Sequence, residues 1–154
     1  MRKAKDESRT TPQVHRPVQP DRSRPERLIR TDSEHHDDSR DMLKILLGLA
    51  GYEVATASTV TEALSLASLR WFDLYILEVR FPDGSGVELC RQIRALHPQT
   101  PILFYTSSAY RYDIQAGLAA GAQRYLVKPM DLPLIGEAVA SLLVPVREKY
   151  TYAL

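Results

Sequence analysis

Cysteine is nearly absent. Cys90 is the single one in 154 residues, so no internal disulfide framework is available and a reducing, cytoplasmic setting is the simpler expectation. Long apolar runs are missing as well. No stretch approaches the roughly 18–20 residues that span a bilayer, so no membrane partner is expected. The opening MRKAKDESRTTPQ is basic but has no apolar core behind it, which argues against a secretory signal. Charge of one sign is not in excess: 20 Lys/Arg against 19 Asp/Glu leave +1, unlike a protein that coats nucleic acid. Neither G-x-G-x-x-G nor G-x-x-x-x-G-K-[ST] occurs, so a nucleotide cradle has no support. No nucleophile–base pair stands out, and the chain is not expected to be an enzyme.

The near-neutral sum conceals two unlike parts. Residues 1–27 hold eight Lys/Arg against four Asp/Glu and four of the ten prolines, with only Met1, Ala4, Val14 and Val18 as apolar side chains. Such a segment buries too little surface to offset chain entropy and reads as a disordered, basic, Pro-rich tail. The rest of the chain carries net −3 and all the periodic apolar segments. The expected organisation is a tail over 1–27, one domain over 28–146, and a short C-terminal tail over 147–154 with no space for an output domain.

From Leu28 onward, strand and helix patterns alternate. Residues 38–50 put Leu43, Leu46, Leu47 and Ala50 at helical spacing, with Gly51 as a stop. Residues 52–57 read as a strand. Thr59 and Glu62 form a capping box for a helix to about Arg70. The run 73–79 is a strand covered on both faces. Ser85 and Glu88 form a second capping box, and Leu89, Ile93 and Leu96 continue the helix to before Pro98. A strand over 101–106, a helix over about 110–120 ending at Gly121, and a strand over 124–129 follow. Asp131 and Pro133 open a last helix through Leu143 that Pro145 ends. Alternation of this kind implies a parallel sheet with helices on both faces, and function at the carboxyl ends of its strands.

Those ends collect Glu78 after the third strand, Thr106 after the fourth and Lys128 after the fifth. The first strand, near Leu28–Thr31, runs into the acidic stretch Asp32-Ser33-Glu34-His35-His36-Asp37-Asp38. A hydroxyl and an ammonium suit phosphoryl oxygens, and an acidic cluster suits Mg²⁺. His35-His36-Asp37-Asp38 reads as a solvated first turn of a helix rather than a transition-metal site. Asp83 lies in a Pro-Asp-Gly turn, where it serves backbone geometry.

At these residues the chain resembles the receiver domains of two-component response regulators. Gly121-Ala122-Gln123-Arg124-Tyr125-Leu126-Val127-Lys128-Pro129 is similar to the family's G-A-x-x-Y-L-x-K-P, and Asp73 to Gly86 resembles its D-L-x-x-L-D-x-x-x-P-x-x-x-G segment. The resemblance covers roughly residues 28–146. It implies a flavodoxin-like doubly wound α/β domain, a five-stranded parallel sheet in the order 2-1-3-4-5, and cytoplasmic bacterial phosphorelay signalling. It further implies that Thr106 and Lys128 contact a phosphoryl group, that Tyr125 is an aromatic switch, and that the bond before Pro129 is often cis. The implied partners are a histidine kinase or a downstream effector, with a second copy of the chain as a further candidate.

The family's acceptor aspartate is replaced here by Glu78, in a register fixed by Pro82 four residues on. One extra carbon displaces the carboxylate by on the order of 1 Å, enough to spoil in-line attack on a phosphodonor. Glu78 is therefore expected to be a poor acceptor. Its charge reaches instead toward the place of a phosphoryl group, either imitating the phosphorylated state in part or only holding the fold. The acidic pair has two registers: Glu34 with His35, or Asp32 with Ser33. Neither supplies two aspartates, which weakens the case for Mg²⁺. The expected function is that of an atypical receiver acting by protein–protein interaction without phosphorylation. A nucleic-acid-associated adaptor using the basic tail is the alternative.

Overall fold

A computed structural model of the chain describes residues 25–31 and 37–144. Five parallel strands form the sheet: β1 (Arg27–Thr31), β2 (Glu53–Ala57), β3 (Leu74–Leu77), β6 (Ile102–Thr106) and β7 (Arg124–Val127). A two-residue antiparallel ladder, β4 (Arg80–Phe81) with β5 (Gly84–Ser85), follows β3. The sheet order is β2-β1-β3-β6-β7, which is 2-1-3-4-5 when sheet strands alone are counted. Helices α1 (Asp37–Leu49), α2 (Val60–Leu69), α3 (Gly86–Leu96), α4 (Arg111–Ala119) and α5 (Ile135–Leu143) make the crossovers and the final cover. The alternation leads to this doubly wound sheet, and its order is the flavodoxin-like one that the resemblance implies.

Parallel strands covered on both faces need apolar side chains on both, and the two central runs supply them. Every residue of LYIL in β3 and of ILFYT in β6 is buried. One face packs Ile29, Tyr75, Leu77, Ile102 and Phe104 against Ala63 and Ala67 of α2 and Leu89, Cys90 and Ile93 of α3. The other packs Leu28, Leu74, Ile76, Leu103 and Tyr105 against Leu43 and Leu47 of α1 and Ile135, Ala138 and Val139 of α5.

Strand β1, RLIRT, has the weakest strand signal in the sequence, yet it pairs on both sides and four of its five residues are buried. Its polar Thr31 has a use at the strand end, taken up below. Leu46 of α1 and Ala50 just past its end are exposed, against expectation, because the sheet admits only the Leu43/Leu47 edge of the helix. The third strand leaves the ladder at Leu77, so Glu78 and Val79 lie past its end. The last strand likewise stops at Val127, ahead of a cis Lys128–Pro129 bond.

Caps depart from the expected boxes in detail. Thr59 accepts from the Glu62 amide as expected, but the Glu62 carboxylate reaches the Ser58 N–H instead of the cap's own. Ser85 accepts from the Val87 amide, while Glu88 turns to Arg91 at 3.0 Å on the exposed side of α3, so the second box does not close. Asp131 opens a 3-10 turn (Leu132–Leu134) ahead of α5, and its carboxylate accepts from the Val127 amide across the turn. Pro145 and both tails up to residue 24 and from 145 lie outside the described residues, as does most of the acidic stretch.

Asp83 does more than shape its turn. Its carboxylate accepts from the Val60 and Thr61 amides and the Thr61 hydroxyl, so the ladder after β3 caps the N-terminus of α2 from more than 20 residues away. The Thr61 and Val60 N–H groups hold this carboxyl below its ordinary range. A carboxyl lowered in the folded state stabilises above the unfolded value, and that stability is lost as pH falls through the folded one. Asp83→Ala is expected to lower the urea midpoint at neutral pH, and the gap from the unsubstituted chain should close as the medium is acidified below the carboxylate range.

Candidate functional site

The buried β3 run delivers Glu78 to the carboxyl end of the sheet, where its residue is only 6% exposed. Its backbone is fixed from β1: the Glu78 N–H donates to Thr31 Oγ1 at 2.9 Å, and the Thr31 hydroxyl donates to the Ile76 carbonyl at 3.3 Å. On the other side the chain turns at once into α3, with the Gly86 N–H on the Val79 carbonyl at 2.7 Å. A Cβ on Gly86 would fall 1.8 Å from the Glu78 carbonyl oxygen. The last glycine of the Asp73–Gly86 segment is thus required by close approach of helix and acceptor strand.

The carboxylate is held by three donors. Oε1 accepts from the Val79 N–H at 2.7 Å and from the Thr106 hydroxyl, and Oε2 lies 3.4 Å from Lys128 Nζ. Thr106 is fully buried at the end of β6, and Lys128 follows β7 with its amide on the Thr106 carbonyl at 2.8 Å. The Lys128 ammonium also sits 5.2 Å from the Tyr105 ring centroid. Hydroxyl, ammonium and backbone amide form a donor set suited to a phosphoryl group, and here it closes on a side-chain carboxylate.

The site extends to Tyr125 through a residue that the sequence reading did not single out. The Ser108 N–H donates to Thr106 Oγ1 at 3.2 Å, and the Tyr125 hydroxyl donates to the Ser108 carbonyl at 2.8 Å. The Tyr125 ring lies beside Phe104, 5.5 Å between centroids. Gly117 of α4 makes room, since a Cβ there would press on both rings at 3.0–3.2 Å. Burial pushes the Tyr125 phenol up to about 12, with the negative charges of Asp113 and Glu78 adding to the effect.

The structure therefore brings Glu78, Thr106 and Lys128 together and joins Tyr125 to them through Ser108. Asp32 and Glu34, the two candidate metal ligands, lie outside the described residues with their partners Ser33 and His35. Among the described residues no cluster of three His, Cys, Asp or Glu could hold a metal. Both oxygens of Glu78 are engaged by protein donors. Cys90 is fully buried, and burial pushes its thiol up to about 11. No described helix is long and apolar enough to cross a membrane.

Thr31, Ser108 and Asp113 were missed. Ser108 carried a faint signal, as the last hydroxyl of Thr106-Ser107-Ser108 at a strand end. Thr31 was legible only as the residue closing the first strand.

The distal end of the sheet is held by Arg94 of α3. Its guanidinium donates to the carbonyls of Thr100 at 2.7 Å and Gly121 at 2.6 Å, tying α3 to the turn that feeds β7. Gly121 has φ +112°, and a Cβ there would meet the Arg94 side chain, which accounts for the first glycine of the 121–129 segment.

Two substitutions test this geometry. Lys128→Met removes one of three donors from a buried carboxylate and is expected to cost about 2 kcal/mol in urea unfolding. Gly86→Ala forces the α3 start off the Glu78 carbonyl and is expected to cost about 2–3 kcal/mol, with shifted Glu78 and Val79 amide resonances.

A family model for the response regulator receiver domain matches residues 33–140. The chain is 39% identical over 106 residues to the response regulator protein PilR of Pseudomonas aeruginosa, covering 69% of this chain and 24% of that protein. It is 37% identical over 108 residues to the transcriptional regulatory protein CreB of Escherichia coli, covering 70% of this chain and 47% of that one. It thus spans less than half of these curated relatives. Among solved structures, a CheY-like receiver domain protein from Methanospirillum hungatei superposes with TM-score 0.72 at 28% identity, covering 77% of this chain and 94% of that one. The response regulator TrrA of Thermotoga maritima, solved in complex with Mg(2+)-BeF, gives 0.68 at 32%, covering 77% and 99%.

Proposed function

The chain belongs to the response regulator receiver family of two-component signalling, and from that premise we propose that it signals through protein–protein contact without being phosphorylated. The observation that carries this reading is the buried Glu78 carboxylate, bonded to Thr106 and facing Lys128 at 3.4 Å. An acyl phosphate at this place would present its oxygens to the same hydroxyl and ammonium. Glu78 supplies one negative charge where a phosphoryl group supplies about 1.5 to 2, so the imitation is partial. Its oxygens accept from three donors, and an oxygen so engaged is a poor nucleophile toward an incoming phosphorus. Thr106 drawn to Glu78, with Tyr125 bonded to the loop behind Thr106, supports an active-like resting conformation over a carboxylate that only holds the fold. The partner is a histidine kinase or a downstream effector, as befits a family whose relatives include the sensor protein EvgS and the regulator CreB.

Incubation with Mg²⁺ and acetyl phosphate, read by intact mass, tests the reading. The expected result is no phosphoryl gain on the unsubstituted chain. A stoichiometric gain that maps to Glu78 would overturn it. Glu78→Asp, shorter by one methylene, is the companion sample. Uptake by this variant alone assigns the loss of phosphorylation to side-chain length.

A further inference from the structure

We propose that Asp113 and Arg80 form a positioning pair that holds Ser108 in the orientation Tyr125 requires. Asp113 lies in the first turn of α4, and its side chain is 11% exposed. Its Oδ2 accepts from the Ser108 hydroxyl and lies 3.7 Å from the Arg80 guanidinium. Arg80 opens β4, two residues after Glu78, and its side chain is 67% exposed.

Ser108 is the junction. Its N–H is committed to Thr106, its carbonyl to the Tyr125 hydroxyl and its own hydroxyl to Asp113. A peptide gripped at the N–H and carbonyl can still pivot about the line between them. The third bond, from the side chain, removes that freedom. Asp113 makes it through Oδ2, and a carboxylate this far from water needs a counter-charge. Arg80 brings it from the ladder beside the acceptor. The contacts close a ring from Glu78 through Thr106, Ser108, Asp113 and Arg80, back to within two residues of the start.

An aspartate in the first turn of a helix also suits the helix dipole. That simpler role uses Asp113 alone and makes no demand on Arg80. Nor does the pair's role depend on whether Glu78 accepts phosphate, so no phosphodonor is needed to test it.

The test uses the full chain with ¹³C-ring-labelled tyrosine, Tyr125→Phe identifying the resonance. Arg80→Ala and Asp113→Asn are expected to displace the Tyr125 ring signals in the same direction, and Arg80→Lys to return them toward the original position. Arg91→Ala, which removes the exposed Arg91–Glu88 pair on α3, should leave them in place. Cooperative thermal unfolding checks that each variant is folded. Tyr125 signals unmoved in folded Arg80→Ala overturn the proposal, and so does a response to Asp113→Asn alone, which is the dipole role. Should Asp113→Asn fail to fold, the surface substitution at Arg80 decides the matter.

Discussion

A carboxylate carried out of water at the end of a central parallel strand must find donors or give up its charge. Glu78 is placed there by the strand before it, since LYIL is buried on both faces and the chain can only emerge where β3 stops. Everything near the carboxyl edge is organised around satisfying that anion. Thr31 anchors its backbone from β1, Thr106 and the Val79 amide take one oxygen, and Lys128 takes the other. The magnitudes favour this cluster over surface pairs as the energetic centre. A hydrogen bond to a charged group in a part-buried setting contributes about 1.5–3 kcal/mol, whereas an exposed pair such as Arg91–Glu88 contributes on the order of 0.3–0.5 kcal/mol.

The same anion explains why a distant aromatic is ordered. Thr106 donates its proton to Glu78, which leaves its lone pairs to accept from the Ser108 amide. That fixes the loop whose carbonyl receives the Tyr125 hydroxyl. A hydroxyl that both donates and accepts passes orientation along without passing charge. The geometry of the acceptor site is thus felt at the edge strand β7 through three hydrogen bonds and no large movement of secondary structure.

The layout of strands and helices was legible because apolar periodicity dictates it. Short apolar runs such as those within 73–79 and 101–106 suit strands covered on both faces, and the stops at Gly51, Pro98 and Gly121 fell near element ends. The triad of Glu78, Thr106 and Lys128 was legible for a related reason: a parallel sheet brings all its strand ends to one edge. What escaped was the set of polar side-chain contacts outside that triad. Asp83 capping α2 and Ser108 bridging Thr106 to Tyr125 each depend on where two loops meet. Periodicity carries no information about that meeting. Thr31 is the sharpest case: it closes RLIRT, whose two arginines weaken the strand signal, and its hydroxyl receives the Glu78 amide.

Side-chain length is the last constraint, and it acts through the neighbours as much as through the acceptor. With one more methylene than aspartate, Glu78 folds its Oε1 back to the next backbone N–H at 2.7 Å and still meets the Thr106 hydroxyl. The space between the end of β3, the hydroxyl and the lysine is therefore spanned by this side chain. Gly86 leaves no slack behind the acceptor strand, because a single added carbon would strike the Glu78 carbonyl. The backbone cannot retreat, so the side chain takes up its extra methylene by folding toward the Val79 N–H while it meets Thr106 and Lys128. A longer acid on a backbone held this tightly can only meet the hydroxyl and the lysine with its own carboxylate.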